Sequence, residues 1–485
     1  MSLIGLSRRA VCAAPLGLAL APAALARDAE ADRIARIEAG LVPRIVLRSR
    51  PEPAASLTAR MARYRVPGVS LAFFGAEGVR WTRQYGVLER GGDRPVDADT
   101  LFQASSIAKT ATAMAILRLV REGRLDLDGD VAGRLKGWRL PDTPFTTAEK
   151  VTVRRLLSHS AGTTVHGFAG YAPGGMLPTT RQILAGAPPA NSPPVTVDTV
   201  PGSGWRYSGG GYLILQQLAE ETTGEPFART LKRLVLDPAG MARSRADQPL
   251  PKGPWANAAR GHAADGAPLP GGAMVFPELA AGGLWSTPGD LARMAITLVA
   301  EARGRSDRIL DRSLATAMLT RQAGDWGLGV DLTAIPGEAS FSHAGTNPGY
   351  QAYLICLPDR GEGLAVMTNG ANQSGFFLEI VMAVAREYGW PGFLQTVRDT
   401  VAVGPAVLAT YAGTWLADGA PPFEVVVKED RLFVQGGPFG PEPVELHAES
   451  PSRFFILSTG FSFDFTAIAE GRATLAGSIA AVRRK

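Results

Sequence analysis

The stretch Phe102-Gln103-Ala104-Ser105-Ser106-Ile107-Ala108-Lys109-Thr110 opens a long apolar run of the chain. Of all the lysines, only Lys109 has a serine three residues upstream. If residues 106 onward are helical, that spacing puts the Ser106 hydroxyl and the Lys109 amine on one face, a turn apart. A serine hydroxyl is a weak nucleophile until a neighbouring base takes its proton. A lysine serves as that base once burial leaves it neutral. Free N–H groups at the helix start would sit beside the serine, where an oxyanion needs them. Ala111, Ala113, Met114, Ala115, Ile116, Leu117, Leu119 and Val120 make the helix apolar nearly all round, so it is expected to be buried. A lysine in its first turn is then costly unless paired or neutral. Gly123 marks the expected C-terminal cap.

The chain has 485 residues, which suggests two or three domains. Hydrophobic content is 46% and charged content 20%, as in soluble globular proteins. The net charge of +5 is not gathered into a Lys/Arg run, so no nucleic-acid footprint is read. Ser7-Arg8-Arg9 precedes an apolar stretch, 10–26, that ends in Ala24-Leu25-Ala26. This reads as a twin-arginine export signal cleaved after Ala26. The expectation is a periplasmic or secreted protein with no stable membrane anchor after cleavage. Cys12 falls within the signal, leaving Cys356 alone and no intramolecular disulfide.

Residues 69–74 and 79–85 read as a hairpin around Gly75-Ala76-Glu77-Gly78. The acidic turn 125–130 lacks the spacing and closing glutamate of a calcium loop. A short helix is expected at 151–158. Residues 163–204 are rich in Gly, Pro and Thr, and a connection that long reads as a binding loop or lid. Tyr207-Ser208-Gly209-Gly210-Gly211 leads into an amphipathic helix closed by Gly224, without the Lys-Ser/Thr of a phosphate cradle. Thr287-Pro288-Gly289-Asp290 predicts a helix start, with Asp290 completing a capping box. Runs at 339–343, 350–357 and 364–368 are expected to join the hairpin in one antiparallel sheet. Strands from both ends flanking a helical middle give an α+β domain with a helical insertion. The composition breaks at 401–407, and 423–427, 432–435, 454–457 and 461–465 read as a small all-β unit. The expected division is 1–26 signal, 27–400 catalytic domain and 405–485 C-terminal β domain.

Three polar motifs could meet at one site: Ser106-x-x-Lys109, Tyr207-Ser208-Gly209 and His343-Ala344-Gly345. Together they resemble the serine β-lactamase and penicillin-binding protein superfamily, in its class C and esterase branch. Leu156-Leu157-Ser158-His159-Ser160-Ala161-Gly162 and Ala281-Gly282-Gly283-Leu284-Trp285-Ser286-Thr287-Pro288-Gly289-Asp290-Leu291 resemble flanking motifs of that branch. The resemblance covers roughly 55–370, and the C-terminal unit resembles an appended lipocalin-like domain. It implies a β-lactamase/transpeptidase-like antiparallel sheet flanked by helices, with a helical subdomain. It implies Ser106 as the acylated nucleophile, with Lys109 or Tyr207 as the base. His343 would orient Tyr207 or a substrate carboxylate, its charge varying between pH 5 and 8. The oxyanion hole would be the backbone N–H groups of Ser106 and Thr346, and Gly209 and Gly345 would border the substrate. His159 and His166 read as structural or loop residues. No metal-ligand spacing is present, so neither a metal nor a cofactor is expected.

The family's second motif commonly ends in asparagine, which holds the side-chain amide of a β-lactam or peptide. Gly209 cannot make that contact. The expected function is therefore an exported serine hydrolase acting on a small ester, amide or D-amino-acid peptide. The alternatives are a β-lactamase or D,D-carboxypeptidase, and a peptidoglycan- or lipid-binding protein on a hydrolase fold.

Overall fold

The computed structural model describes residues 21–485, apart from 252, 254, 255, 333, 334, 336, 372, 373, 418–420, 441, 478 and 485. Residues 1–20 of the expected signal lie outside that range. The helix Ala21–Ala39 runs through position 26. Among the described residues no helix is long and apolar enough to cross a membrane.

The centre is a five-stranded antiparallel sheet: β1 Gly68–Gly75, β2 Gly78–Gly86, β3 Phe341–Asn347, β4 Tyr350–Leu357 and β5 Glu362–Thr368. Its order is β2-β1-β5-β4-β3, so the first hairpin joins the late strands as the sequence predicts. Val69 pairs with Thr368, and Phe341 with Cys356. Both faces of the sheet are covered, which is why β1 reads apolar throughout and not alternating. On one face, Ala72, Phe74, Leu354 and Met367 join the large core of the helical unit. On the other, Leu71, Phe73, Ile355 and Val366 pack with Phe376, Ile380 and Val384 of the helix Ser374–Tyr388, and with Ile34 and Ile37. Burying each such side chain contributes about 1.5–3 kcal/mol.

β3 forms the sheet edge and is longer than the predicted 339–343, because it continues through Asn347 into a two-residue turn against Tyr350. The helix Ala108–Arg121 is buried as its composition predicts, and Gly123 leaves it with φ 69°. The helix Pro288–Ala302 begins where expected, with the Thr287 hydroxyl accepting from Asp290 N at 3.2 Å. The predicted capping box is incomplete, since the Asp290 carboxylate is drawn elsewhere. It accepts from Arg243 N at 2.9 Å and from the Ser244 hydroxyl at 2.8 Å, and pairs with Arg293.

The C-terminal segment forms a closed eight-stranded antiparallel barrel, Gly413 to Arg483, in which each strand pairs with its sequence neighbours. Seven of its strands are as short as three to five residues, and outward positions such as Leu416 and Val482 are apolar. Both features blur the period-two signal. The compositional break at 401–407 runs into a short helix, Pro405–Tyr411.

Candidate active site

The short strand Phe102–Gln103 pairs with Trp285–Ser286, and Ala104 N donates to Leu284 O at 2.8 Å. The chain then turns sharply. Ser105 adopts φ 52°, a left-handed conformation rare for a residue with a Cβ. The turn Ser105–Ile107 follows and runs directly into the helix Ala108–Arg121. Such strain persists only where the surroundings hold it. Gly345 of β3 supplies part of that hold: a Cβ there would lie 2.3 Å from Ala104 O and 3.1 Å from Ser105 Cβ. Only glycine lets the sheet edge come this close, so Gly345 is a packing position and does not line the cavity.

Ser106 and Lys109 meet as the spacing predicts, with Nζ 3.2 Å from Oγ. Lys109 is 2% exposed. Its amine also donates to Ala281 O at 2.6 Å and lies 4.9 Å from the centre of the Tyr207 ring. Burial pulls its pKa from 10.5 down to about 7. The helix Gly209–Thr223 brings in Tyr207 at its start. Burial raises the Tyr207 phenol well above 10, opposed in part by its hydrogen bond with Ser106. The phenol therefore rests protonated.

The three glycines of that helix start have a structural explanation. Gly209 N donates to His166 O and Gly210 N to Val165 O, both at 2.9 Å, and Gly211 N to the Ser208 hydroxyl at 2.9 Å. A Cβ on Gly210 would lie 2.6 Å from Thr164 O. The loop thus covers the helix start, and these N–H groups are consumed within the protein. The same loop carries the strained Val165, φ 62°, and places His166, Gly167 and Phe168 on the cavity. The predicted binding loop does line the site. At Gly209 a Cβ would touch Phe168 Cε2 at 3.1 Å, so an aromatic ring closes the space into which an asparagine side chain would project.

His343 is buried, and its Nδ1 lies 2.7 Å from Ala344 O. A carbonyl only accepts, so Nδ1 carries the proton. Nε2 is then a bare acceptor without a partner among the described residues. Burial, helped by nearby Lys109, pushes its pKa down to about 3. The expected titration between pH 5 and 8 is corrected accordingly: this imidazole is neutral there. An acceptor atom has no donor to offer a substrate carboxylate.

His159 and His166, read from sequence as structural or loop residues, both lie against Tyr207, with ring centres at 4.2 and 5.0 Å. Burial and Lys109 lower both pKa values. His159 Nδ1 accepts from Ser208 N at 3.1 Å. Trp326 completes the aromatic wall, 5.6 Å from Tyr207 and 5.3 Å from His343. Its motif-free loop gave no sequence signal.

The resulting cavity has a volume of 240 Å³. Ser106, Lys109, Tyr207, Gly209, Ala344 and Thr346 line it, together with Phe168, Phe276 and Asn347, which sequence reading missed. Asn347 donates to Gln103 Oε1 at 2.7 Å, a contact between residues 244 positions apart that no local pattern reveals. β3 is the edge strand; on its outer side Ser342 N donates to Asp331 O at 2.8 Å, and the other outward N–H groups are left unused by the sheet. Among the described residues no His, Cys, Asp and Glu cluster could hold a metal ion.

A serine hydroxyl, a buried amine and a phenol meet at the seam between an antiparallel sheet and a helical unit. The chain belongs to the beta-lactamase family, whose model matches residues 54–387, and so stands among the serine hydrolases. It is 29% identical over 383 residues to penicillin-binding protein 4 of Amycolatopsis lactamdurans, covering 74% of this chain and 95% of that one. It is 32% identical over 177 residues to esterase EstB of Burkholderia gladioli, covering 34% and 43%. In fold it is similar to the octameric penicillin-binding protein homologue from Pyrococcus abyssi, with TM-score 0.60, 22% identity and coverage of 88% and 98%. It is also similar in fold to the D-amino acid amidase from Ochrobactrum anthropi SV3, with TM-score 0.55, 24% identity and coverage of 69% and 98%.

Proposed function

We propose that this chain is an exported serine hydrolase that forms an acyl-enzyme on Ser106 from a small, uncharged ester or amide. The observation that carries the reading is the 3.2 Å approach of a buried, easily neutralised lysine to the serine hydroxyl. The Ser106 oxygen attacks the substrate carbonyl carbon while its proton passes to Lys109. The oxyanion forms beside the N–H groups of Ser106 and Thr346. On collapse the bond to the leaving group breaks, and the Lys109 proton reaches that group through the Tyr207 hydroxyl. Water then attacks the acyl carbon, gives its proton to Lys109, and releases the acid as Ser106 regains its hydrogen. Lys109 is favoured over Tyr207 as base because burial favours the neutral amine and disfavours the phenolate.

The preference for an uncharged substrate rests on the lining. Among the described residues it holds no arginine, and its one lysine is committed to Ser106 and Ala281 O. A carboxylate, as on a β-lactam or a D-Ala-D-Ala terminus, would find no counter-charge. Export is supported by Arg8-Arg9 and the apolar stretch to Ala26. The test is intact-protein mass and turnover with p-nitrophenyl acetate and, separately, a penicillin, for wild type and Ser106→Ala. An acetyl adduct and ester turnover that vanish in Ser106→Ala, with penicillin the poorer partner, are expected. Unchanged turnover in Ser106→Ala would sink the proposal, and efficient penicillin hydrolysis would sink its substrate class.

A further inference from the structure

The C-terminal barrel has two unlike ends. One is plugged by the helix Pro405–Tyr411: Leu408 and Tyr411 are buried, and Tyr411 stacks on Phe465 with ring centres 4.5 Å apart. The Tyr411 hydroxyl donates to Pro451 O at 3.0 Å, and Trp415 Nε1 donates to Tyr411 O at 3.1 Å. The waist is filled by Val425, Val434, Phe454 and Phe463. At the other end the side chains stop filling the barrel and leave a cavity of 520 Å³. Phe423, Phe439, Phe461, Ile456, Leu475 and Ile479 form most of its wall. Phe439 stands edge-on to Phe423 at 5.2 Å and to Phe461 at 5.5 Å. Tyr64 and Gly375 of the catalytic domain complete it.

No described lining residue is charged. The polar ones are Ser458, Thr459 and Tyr64, and the Tyr64 hydroxyl is already given to Glu379 at 2.7 Å. An eight-stranded barrel is wide enough either to be filled by side chains or to hold one small ligand. Here the waist is filled and the mouth is open. Apolar cavities stay dry and accept apolar guests, and pockets of roughly 300–1,000 Å³ suit drug-sized molecules. The site is separate from Ser106, since the two cavities share no lining residue. Gly375 lies in the first turn of the helix Ser374–Tyr388, which covers the sheet face opposite the helix Ala108–Arg121.

We propose that the barrel mouth is a second binding site, for an uncharged aromatic small molecule, and that it functions independently of the acyl-transfer site. The test is a fluorescence titration of the full-length protein with N-phenyl-1-naphthylamine, a neutral probe that brightens in apolar surroundings. Saturable, single-site binding is expected, unchanged in Ser106→Ala. The anionic analogue 8-anilinonaphthalene-1-sulfonate should bind at least tenfold more weakly, because its charge would be desolvated without a partner. Ile479 is 40% exposed at the rim, so Ile479→Glu should fold, keep ester turnover, and weaken the neutral probe at least tenfold. Ala417→Phe, which fills the mouth, should do the same without adding charge. Absence of saturable binding would overturn the proposal. So would binding that both variants leave unchanged, or equal affinity for the sulfonate.

Discussion

Replacing Lys109 by methionine should remove activity and stabilise the protein at neutral pH. The gap between an ordinary lysine pKa of 10.5 and the buried value of about 7, at roughly 1.4 kcal/mol per pH unit, corresponds to between 4 and 5 kcal/mol at pH 7. The sign follows from proton counting. Between pH 7 and 10.5 the unfolded chain carries this proton and the folded chain does not, so wild-type stability rises with pH across that window. Methionine has no proton to lose, but it leaves Ala281 O without the donor it has at 2.6 Å, at a cost of about 1–2 kcal/mol. The net gain is about 3 kcal/mol at pH 7 and under about 1 kcal/mol at pH 9. For a domain of roughly 350 residues, 1 kcal/mol moves Tm by about 1.4 °C. Melts at pH 7 and pH 9 should therefore show a gain of about 4 °C that mostly disappears at the higher pH. Ester turnover should fall about 10²–10⁴-fold, the usual contribution of a positioned base. A variant less stable than wild type by the same margin at both pH values would refute the depressed pKa. Retained turnover would refute the role.

The log of kcat/KM for p-nitrophenyl acetate should climb with unit slope below about pH 7 and level off above it, as Lys109 loses its proton. His343, held down to about 3, adds no inflection between pH 5 and 8; a rise delayed until the phenol range would instead identify Tyr207 as base. Gly345→Ala places a methyl 2.3 Å from Ala104 O, pushing β3 off the Ser106 turn. It should lower acylation at least tenfold, with circular dichroism unchanged at 25 °C; normal acylation would show that the close approach is dispensable. Glu278 is fully buried with both carboxylate oxygens unpartnered among the described residues, and burial raises its pKa to about 7. Its protonated form stabilises the fold below about pH 4.5, and that contribution is lost as pH rises to 7, so Glu278→Gln should gain about 3 kcal/mol over wild type by pH 8. Denaturant titrations at pH 5 and 8 that give the same difference would contradict this.

What the sequence disclosed follows from the range of the interactions involved. Ser106 and Lys109 are one helical turn apart, so a local period brings them together. β1 and the nucleophile helix are apolar because neighbours cover both faces or all sides, and composition reports that directly. The partners that set the chemistry are different. Ala281 O reaches Lys109 across 172 positions, and Asn347 reaches Gln103 across 244. A backbone carbonyl has no residue signature at all. His159 and His166 sit in ordinary-looking segments, and only the folding of the loop over Gly209–Gly211 brings them to Tyr207. His343 was legible in position but not in charge, because its titration depends on burial and on Lys109, neither of which a motif contains. Four of the barrel's eight strands fall outside the β-rich runs read from the sequence for a related reason: short strands that expose apolar residues lack contrast in their pattern.

The groups around Ser106 share one electrostatic property. At rest Lys109 tends to neutrality, His343 and His159 are held neutral, and Tyr207 keeps its proton, each by burial. A charged Lys109 would further disfavour protonation of the imidazoles, and the apolar wall disfavours all charge. In the proposed reaction, charge then develops mainly in the transition state, as an ammonium on Lys109 and an oxyanion on the substrate, formed together in a low-dielectric cavity where their attraction is strong. Such a pair is internal and short-range, whereas salt screens exposed charges over about 10 Å at 0.1 M. Hydrolysis of a neutral ester should consequently keep its kcat/KM within about twofold from roughly 0.05 to 0.5 M NaCl. Measured initial rates that fall steeply over that range would show that charge steering from the surface, and not the neutral cavity, governs substrate capture.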